Sequence, residues 1–440
     1  MISSYKITED RASVEYTNLY AINGVLYFLS VDDVDLPHVK KFTISYDWRP
    51  EVMKFNSEAD LNLYVNSLKE VNEYSLSVLS DNLWYGNVGH GLFDVLYPIY
   101  LSLLKFGYSD ESFNFLSVDW SWRDNFMYDV IKKFTKGDLI EYNKLDVTKV
   151  YKFNKLIAGT DLAGNRVVNK DVFIYGKKWD GLYNFKKRLF DVFDIKLDLP
   201  VKIDKPKVII INNKRFNDKD VSVIKDAVNK LSGVCDIKFL NWQFDYGSHS
   251  HESFKKQMED FKDVDIQVTA PGTAMMYVPL LKKGAVNINL GYIEHTQTNG
   301  VRGNLKIKES KHTDHLIPAY MEQPICAGTY YVTSLYYDRY KYNELEIEPL
   351  IEIINNAIAV LKKGEITEGN VGIDAQVFRE YCKRSKDGDE ICTHLTNLSL
   401  QVEFFVNHHP LALLPSSDME LLKLIKNELN YDRSYEINLD

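Results

Sequence analysis

Lys207-Val208-Ile209-Ile210-Ile211 runs directly into Asn212-Asn213-Lys214-Arg215-Phe216-Asn217-Asp218, and the reading of this stretch decides the fold. Val208 to Ile211 is an unbroken β-branched run, the pattern of a parallel strand buried on both faces. Polar residues end the run. Asp218 to Leu231 then sets Val221, Ile224, Ala227, Val228 and Leu231 at helical spacing. A short buried strand followed at once by an amphipathic helix begins a βαβ unit.

Toward the C-terminus the alternation repeats. Ile237-Lys238-Phe239-Leu240 reads as a second strand and His251 to Phe261 as a polar helix. Ile266-Gln267-Val268-Thr269 reads as a third strand, which ends in Ala270-Pro271-Gly272-Thr273-Ala274 and a helix through Leu281. Ala285 to Leu290 is a fourth strand, and helices are expected from Pro318 and over Glu348 to Lys363. The series is that of a doubly wound parallel sheet, expected over residues 201–392. A helix-prone tail, 393–440, is expected to pack back on the domain junction.

Toward the N-terminus the pattern is less regular. Lys196 to Lys207, with Pro200 and Pro206, has the composition of a linker. Before it, Phe115 to Val118 and Val172 to Tyr175 alternate with helix-like Met127 to Phe134 and Leu182 to Phe193. An N-terminal α/β domain is therefore expected over 57–200. Its first element reads as one helix from Ser57 to Ser80, because Leu61, Tyr64, Val65, Leu68, Val71, Tyr74 and Val78 share a helical face. Leu92, Phe93, Leu96, Ile99, Tyr100 and Leu103 predict another helix. Residues 1–56, with runs such as Val25 to Leu29 and Phe42 to Tyr46, read as a small β-rich lead-in.

The bulk properties exclude several classes. A chain of 440 residues, 45% hydrophobic and 26% charged, can bury more than one core. Its net charge of -9 and pI of 5.7 oppose nucleic-acid binding, which needs a surplus of Lys and Arg. Four cysteines (Cys235, Cys326, Cys382, Cys392) form no CxxC pair and read as free thiols of a reducing compartment, a Cys382–Cys392 pair across a polar hairpin being the alternative. The first residues lack the apolar core of a signal peptide, and no apolar run reaches the roughly 18 residues of a membrane span. A cytoplasmic protein is expected. There is no Gly-x-Gly-x-x-Gly fingerprint, Gly-Lys-Ser/Thr loop or Gly-x-Ser-x-Gly elbow to support a dehydrogenase, ATPase or serine hydrolase.

Open α/β sheets bind ligands beyond the carboxyl ends of their strands, which directs attention to two loops. In Asn213-Lys214-Arg215, Arg215 offers forked hydrogen bonds to phosphate and Lys214 a point charge; the bland alternative is a solvated loop with Asp218 as helix cap. In Pro271-Gly272-Thr273-Ala274, Gly272 permits close backbone approach and the helix start favours a pyrophosphate, against an ordinary capping role for Thr273. Asn289, ending the fourth strand, and Glu322 complete the expected donor-binding set, although capping or surface charge suits Glu322 equally.

In the N-terminal half, Asn87-Val88-Gly89-His90 is followed by Asp94, four residues after His90 and on its helix face. Asp94 would orient His90 as a general base; a structural His–Asp hydrogen bond is the alternative. Asn87, Gly89, Trp120 and Trp122 are candidates for the acceptor side, with core packing the alternative for both tryptophans. His312, Asp314 and His315 occupy no regular register, and the Asp-x-Asp triplets 33–35, 263–265 and 387–389 are expected by chance in so acidic a chain. No metal or cofactor is expected.

Three of these segments, in order, resemble glycosyltransferase family 61 and its relatives of the GT-B architecture. Asn87-Val88-Gly89-His90 with Asp94 resembles the family's Asn-x-Gly-His-x-x-x-Asp. Lys214-Arg215-Phe216-Asn217-Asp218 is similar to its Arg-x-x-Asn-Glu, and Asp265 through Leu290 to its strand, Gly-rich turn, helix and strand. The family's turn commonly reads Gly-x-His-Gly-Ala, whereas this chain has no histidine there. The resemblance implies two Rossmann-like domains facing a cleft and inverting transfer of a sugar from a UDP-sugar donor to a glycan or glycoprotein hydroxyl. A silent glycan- or nucleotide-binding module and a metal-dependent GT-A enzyme are the alternatives.

Overall fold

The computed structural model describes residues 2–8, 13–40, 47–80, 88–117, 126–159, 172–174, 177–179, 181–197, 199–212, 216–241, 251–270, 272–290, 329, 331–337, 342 and 344–364. The fold is α/β, with an eight-stranded mixed sheet and a separate five-stranded parallel sheet. The chain divides into two compact units, essentially Met1–Asn165 and Arg166–Asn407. The expected helix from Pro318 and the tail 393–440 lie outside the described residues.

The first unit begins with β1 (Ser4–Ile7), β2 (Val14–Ile22) and β3 (Val25–Ser30). Asn23 and Gly24 join β2 to β3 with Ile22 paired to Val25, and both take positive φ, 51° and 77°. This is the two-residue hairpin turn that Asn-Gly favours. β4 (Val39–Lys40) and β5 (Asp47–Trp48) form a small ladder, and β6 (Glu51–Lys54) adds in parallel to β3. β7 (Val71–Leu79), β8 (Phe113–Ser117), β9 (Lys136–Glu141) and β10 (Val150–Ala158) complete the sheet in the order β6-β3-β2-β10-β7-β8-β9, with β1 also on β2. The lead-in expected over 1–56 is thus part of this sheet: β2 pairs with β10 from Val14 to Ala21.

The helix expected over 57–80 is two elements. α1 (Glu58–Ser67) is capped by Ser57, whose side chain accepts from the Asp60 N–H. Leu68 is already extended and Glu70 takes φ 51°, so the helix stops there. β7 follows because both its edges find partners, β10 over Val71 to Leu79 and β8 over Ser77 to Leu79. Long-range pairing overrides a 3–4 spacing that Leu68, Val71, Tyr74 and Val78 satisfy only nominally.

After β7 come α2 (Val88–His90), a π-helical turn (Gly91–Leu96) and α3 (Tyr97–Phe106). All ten α3 residues are buried, which explains an apolar pattern without a clear polar side. Ser102 Oγ donates to the Gly159 carbonyl at 3.2 Å and shares a 2.8 Å hydrogen bond with Ser13 Oγ, tying α3 to the ends of β10 and β2. α4 (Phe126–Thr135) leads into β9. Gly91 lies so near α4 that a Cβ there would sit 2.3 Å from Met127 Cε.

The second unit starts with the hairpin β11 (Val172–Ile174) and β12 (Lys177–Trp179) and with α5 (Gly181–Val192). The boundary expected near 200 is therefore displaced toward 165. Two contacts explain it. Lys186, fully buried in α5, donates to the Leu281 carbonyl at 2.7 Å and faces the Tyr331 ring, and Phe193 packs on Phe254. The expected linker 196–207 is also pinned to this unit: Lys202 N donates to Asp265 Oδ1, and the Pro200 carbonyl accepts from Lys282.

β13 (Lys207–Ile211), α6 (Asp218–Leu231), β14 (Asp236–Leu240), α7 (His251–Phe261), β15 (Ile266–Thr269), a 3-10 helix (Thr273–Leu280), β16 (Val286–Asn289), β17 (Thr333–Tyr336) and α8 (Ile347–Lys363) follow in turn. All five strands are parallel, in the order β14-β13-β15-β16-β17. Val208, Ile210, Ile266, Val268, Val286 and Ile288 pack in one cluster with Ile224, Ala227 and Leu231 of α6 and Leu350, Ile354 and Ala357 of α8. Among the described residues no helix is long and apolar enough to cross a membrane.

Candidate functional site

The two nominated loops of the second unit leave from one edge. β13 and β15 are neighbours, with Val208 beside Ile266 and Ile210 beside Val268. From β13 the chain crosses to β14 on one side, and from β15 to β16 on the other. This is a topological switch point, where the two departing connections leave a crevice at the carboxyl ends. Asn212 follows β13 and Ala270 follows β15, so segments more than fifty residues apart in sequence meet at this edge. Asn213, Lys214, Arg215, Pro271 and Glu322 lie outside the described residues.

The helices that open here differ electrostatically. At α6, Asn217 accepts from the Asp220 N–H at 2.9 Å, while Asp220 accepts from the Asn217 N–H at 3.1 Å. The cap is thus Asn217, not Asp218. This reciprocal box satisfies two helix-start donors, and Asp218 and Asp220 put negative charge in the first turn. An anion gains little there. The 3-10 helix carries no acidic residue in its first turn and is capped by Gly272, without a side-chain hydrogen bond. Thr273 is therefore the first helical residue, not the cap, and its side chain is exposed.

Gly272 takes φ 142° and ψ -171°, a region that a side chain essentially forbids. The turn is held from below: Gln267 Nε2 donates to the Ala274 carbonyl at 3.3 Å. Asn289 ends β16 beside Thr269 and is only 1% exposed.

In the first unit β7 lies between β10 and β8, all parallel, and the chain leaves β7 toward β8. The segment Val88-Gly89-His90 thus follows the carboxyl end of a central parallel strand. Val88 and Gly89 are buried. His90 ends α2 and Asp94 lies in the π-helical turn; their side chains, with Asn87, Trp120 and Trp122, are outside what is described. The backbone between them is therefore not the regular α-helix expected. Pro98 accounts for the departure, since it supplies no N–H to the preceding turn and crowds the carbonyl four residues back.

Two of the Asp-x-Asp triplets are occupied by cations of the chain itself. Asp33 pairs with Lys54 at 2.6 Å and Asp35 with Arg49 at 2.8 Å, at the surface. Asp263 pairs with Lys207 at 2.5 Å, and Asp265 with Lys282 at 2.6 Å, both of the latter side chains being fully buried. Asp265 also accepts from the N–H groups of Lys202 and Lys207. It precedes β15 at the amino edge, opposite the edge from which the two loops leave. Residues 387–389 and 312–315 lie outside the described residues.

Sequence reading passed over Gln267, although a glutamine inside a run such as Ile266-Gln267-Val268 is a visible signal in a parallel strand. Gln257 of α7, buried and accepting from the Tyr277 hydroxyl, was equally unmarked. Burial holds that phenol's pKa well above its ordinary range, so it stays a donor.

No protein-family model matches the chain, and no curated protein matches it.

Proposed function

We propose that this protein is an inverting, nucleotide-sugar-dependent glycosyltransferase of GT-B type that holds the donor diphosphate at the carboxyl edge of β13 and β15. One observation carries the reading: the Asn212–Asn217 and Ala270–Ala274 segments leave adjacent parallel strands at a switch point. Such an edge binds phosphates when it presents backbone N–H groups and cations. Gly272 supplies the close backbone approach, the uncharged 3-10 start the favourable field, and Lys214 and Arg215 the countercharge. Most of the chain's acidic excess falls in its first 165 residues, away from this anion site in sequence.

In this reading the acceptor oxygen forms a bond to the anomeric carbon as the bond to the diphosphate oxygen breaks. The electron pair leaves with the diphosphate, stabilised by Arg215 and Lys214. His90 or Asp94 takes the acceptor's proton. Because protein cations neutralise the leaving group, transfer proceeds in EDTA.

The test is a thermal-shift series with UDP, GDP, CMP and nucleotide sugars, with and without EDTA, followed by turnover assays. A ligand that binds only the folded state raises the melting temperature. Stabilisation by one nucleotide, lost in Arg215→Ala, is expected. A preorganised donor to the leaving group contributes about 3–4 kcal/mol, so Arg215→Ala should slow turnover by roughly a hundredfold or more. Nucleotide binding without turnover would leave a binding module; no nucleotide effect would overturn the reading.

A further inference from the structure

The side chains of β15 and β16 that face away from α6 and α8 are Gln267, Thr269, Asn287 and Asn289. Ile266, Val268, Val286 and Ile288 fill the apolar cluster on the other face, and successive strand residues alternate faces. The four polar residues form a block in register, Gln267 beside Asn287 and Thr269 beside Asn289. All are at most 1% exposed. Parallel strands buried on both faces ordinarily carry Val, Ile and Leu throughout, so such a block needs a physical account.

Part of it is found in the turn after β15. Gln267 Nε2 donates to the Ala274 carbonyl, and Thr269 Oγ1 donates to the Ala270 carbonyl at 3.1 Å. Gln267 Oε1 and both amide atoms of Asn287 remain buried, with no partner among the described residues. These three atoms belong to laterally adjacent residues on neighbouring strands, about 4.8 Å apart by sheet geometry. Buried polar groups in folded proteins are satisfied by protein or by ordered water, and a buried water needs a polar site with two to four partners.

We infer that Gln267 and Asn287 hold an internal water beneath the first turn of the 3-10 helix. The water accepts from Asn287 Nδ2 and donates to Gln267 Oε1. Gln267 in turn donates to Ala274, so a continuous hydrogen-bonded chain runs from the middle of β16 to the turn containing Gly272 and Thr273. Asn287, which does not reach that turn itself, becomes a positioning residue for it. The inference concerns the folded chain and is independent of any activity.

A crystal structure of the full chain that shows ordered solvent tests it directly. A solvent peak about 2.7–3.2 Å from both Gln267 Oε1 and Asn287 Nδ2 is expected; a direct amide–amide hydrogen bond with no peak between the two overturns it. Melting temperatures of Gln267→Leu, Asn287→Leu and the double variant give an independent answer. Each single change strands the other residue's polar atom, so the double variant should lose less than the two losses together. Strictly additive losses would show that the two amides share no water.

Discussion

The two sheets of this chain were built by different means. The second consists of short parallel strands, with a helix between β13 and β14, between β14 and β15, and between β15 and β16, and its apolar face is closed by α6 and α8. The first mixes an antiparallel hairpin with parallel strands, and its central strands β2, β10 and β7 come from residues 14–22, 150–158 and 71–79. β13 to β16 of the second sheet carry their own local signal; β2, β10 and β7 of the first depend on partners far away in sequence.

The largest effect on stability that would break this comparison is expected at Asp265→Ala. Lys282 would then be buried without its carboxylate, and breaking a buried pair costs about 3–5 kcal/mol. Urea unfolding should show it. A loss near zero would mean that the amino edge of the parallel sheet does not rely on this pair.

Ser77→Pro tests the first sheet. Ser77 is fully buried in β7, between β10 and β8. Proline there removes a ladder donor from a central strand, and a loss of at least about 3 kcal/mol is expected. Tolerance of the change would return residues 71–79 to a helix or a loop.

Gly91→Ala addresses the helix between β7 and β8. The added carbon meets Met127 Cε, Sδ and Cγ at 2.3, 2.7 and 2.8 Å. Overpacking of this sort costs about 1–3 kcal/mol, reduced where a flexible methionine can move. Gly107→Ala is a control of another kind, since it meets no neighbour within 4 Å and is opposed only by its φ of 82°.

The smallest effect is the pH dependence set by Glu73. Hydrogen bonds from Asn154 and Lys152, and the Lys152 charge, hold its pKa below the ordinary 4.5. A lowered folded pKa means that the contribution is fully present above 4.5 and is lost as pH falls through the folded value. Glu73→Gln should therefore flatten the acid limb of the stability profile below pH 4.5.

Within the second unit, β13, α6, α7 and β15 lie where apolar spacing and β-branched runs put them, because each is a local pattern bounded by polar or turn residues. In the first unit, Asn23-Gly24 carried an equally local signal, a hairpin turn between two apolar runs that the reading of residues 1–56 left unused. β7 carried none of its own. Its spacing imitated a helix, and only β8 and β10 make it a strand. The π-helical turn was equally illegible, because Pro98 dictates the break but not how the preceding turn absorbs it. At the edge of β15, the turn at Gly272 was legible from the sequence, whereas the pairing of Gln267 with Asn287 depends on which strand lies beside which.

By itself the sequence determined the α/β class, the order of elements from Lys207 to Leu290 and the capped start of α6. It did so because each arises from interactions within a dozen residues. Tertiary structure alone decided that β1, β2 and β3 belong to the first sheet, that α5 belongs to the second unit, and that Asn212 and Ala270 follow neighbouring strands at one edge. Strand order is settled by packing and hydrogen bonding between segments distant in the chain, and no local pattern encodes it.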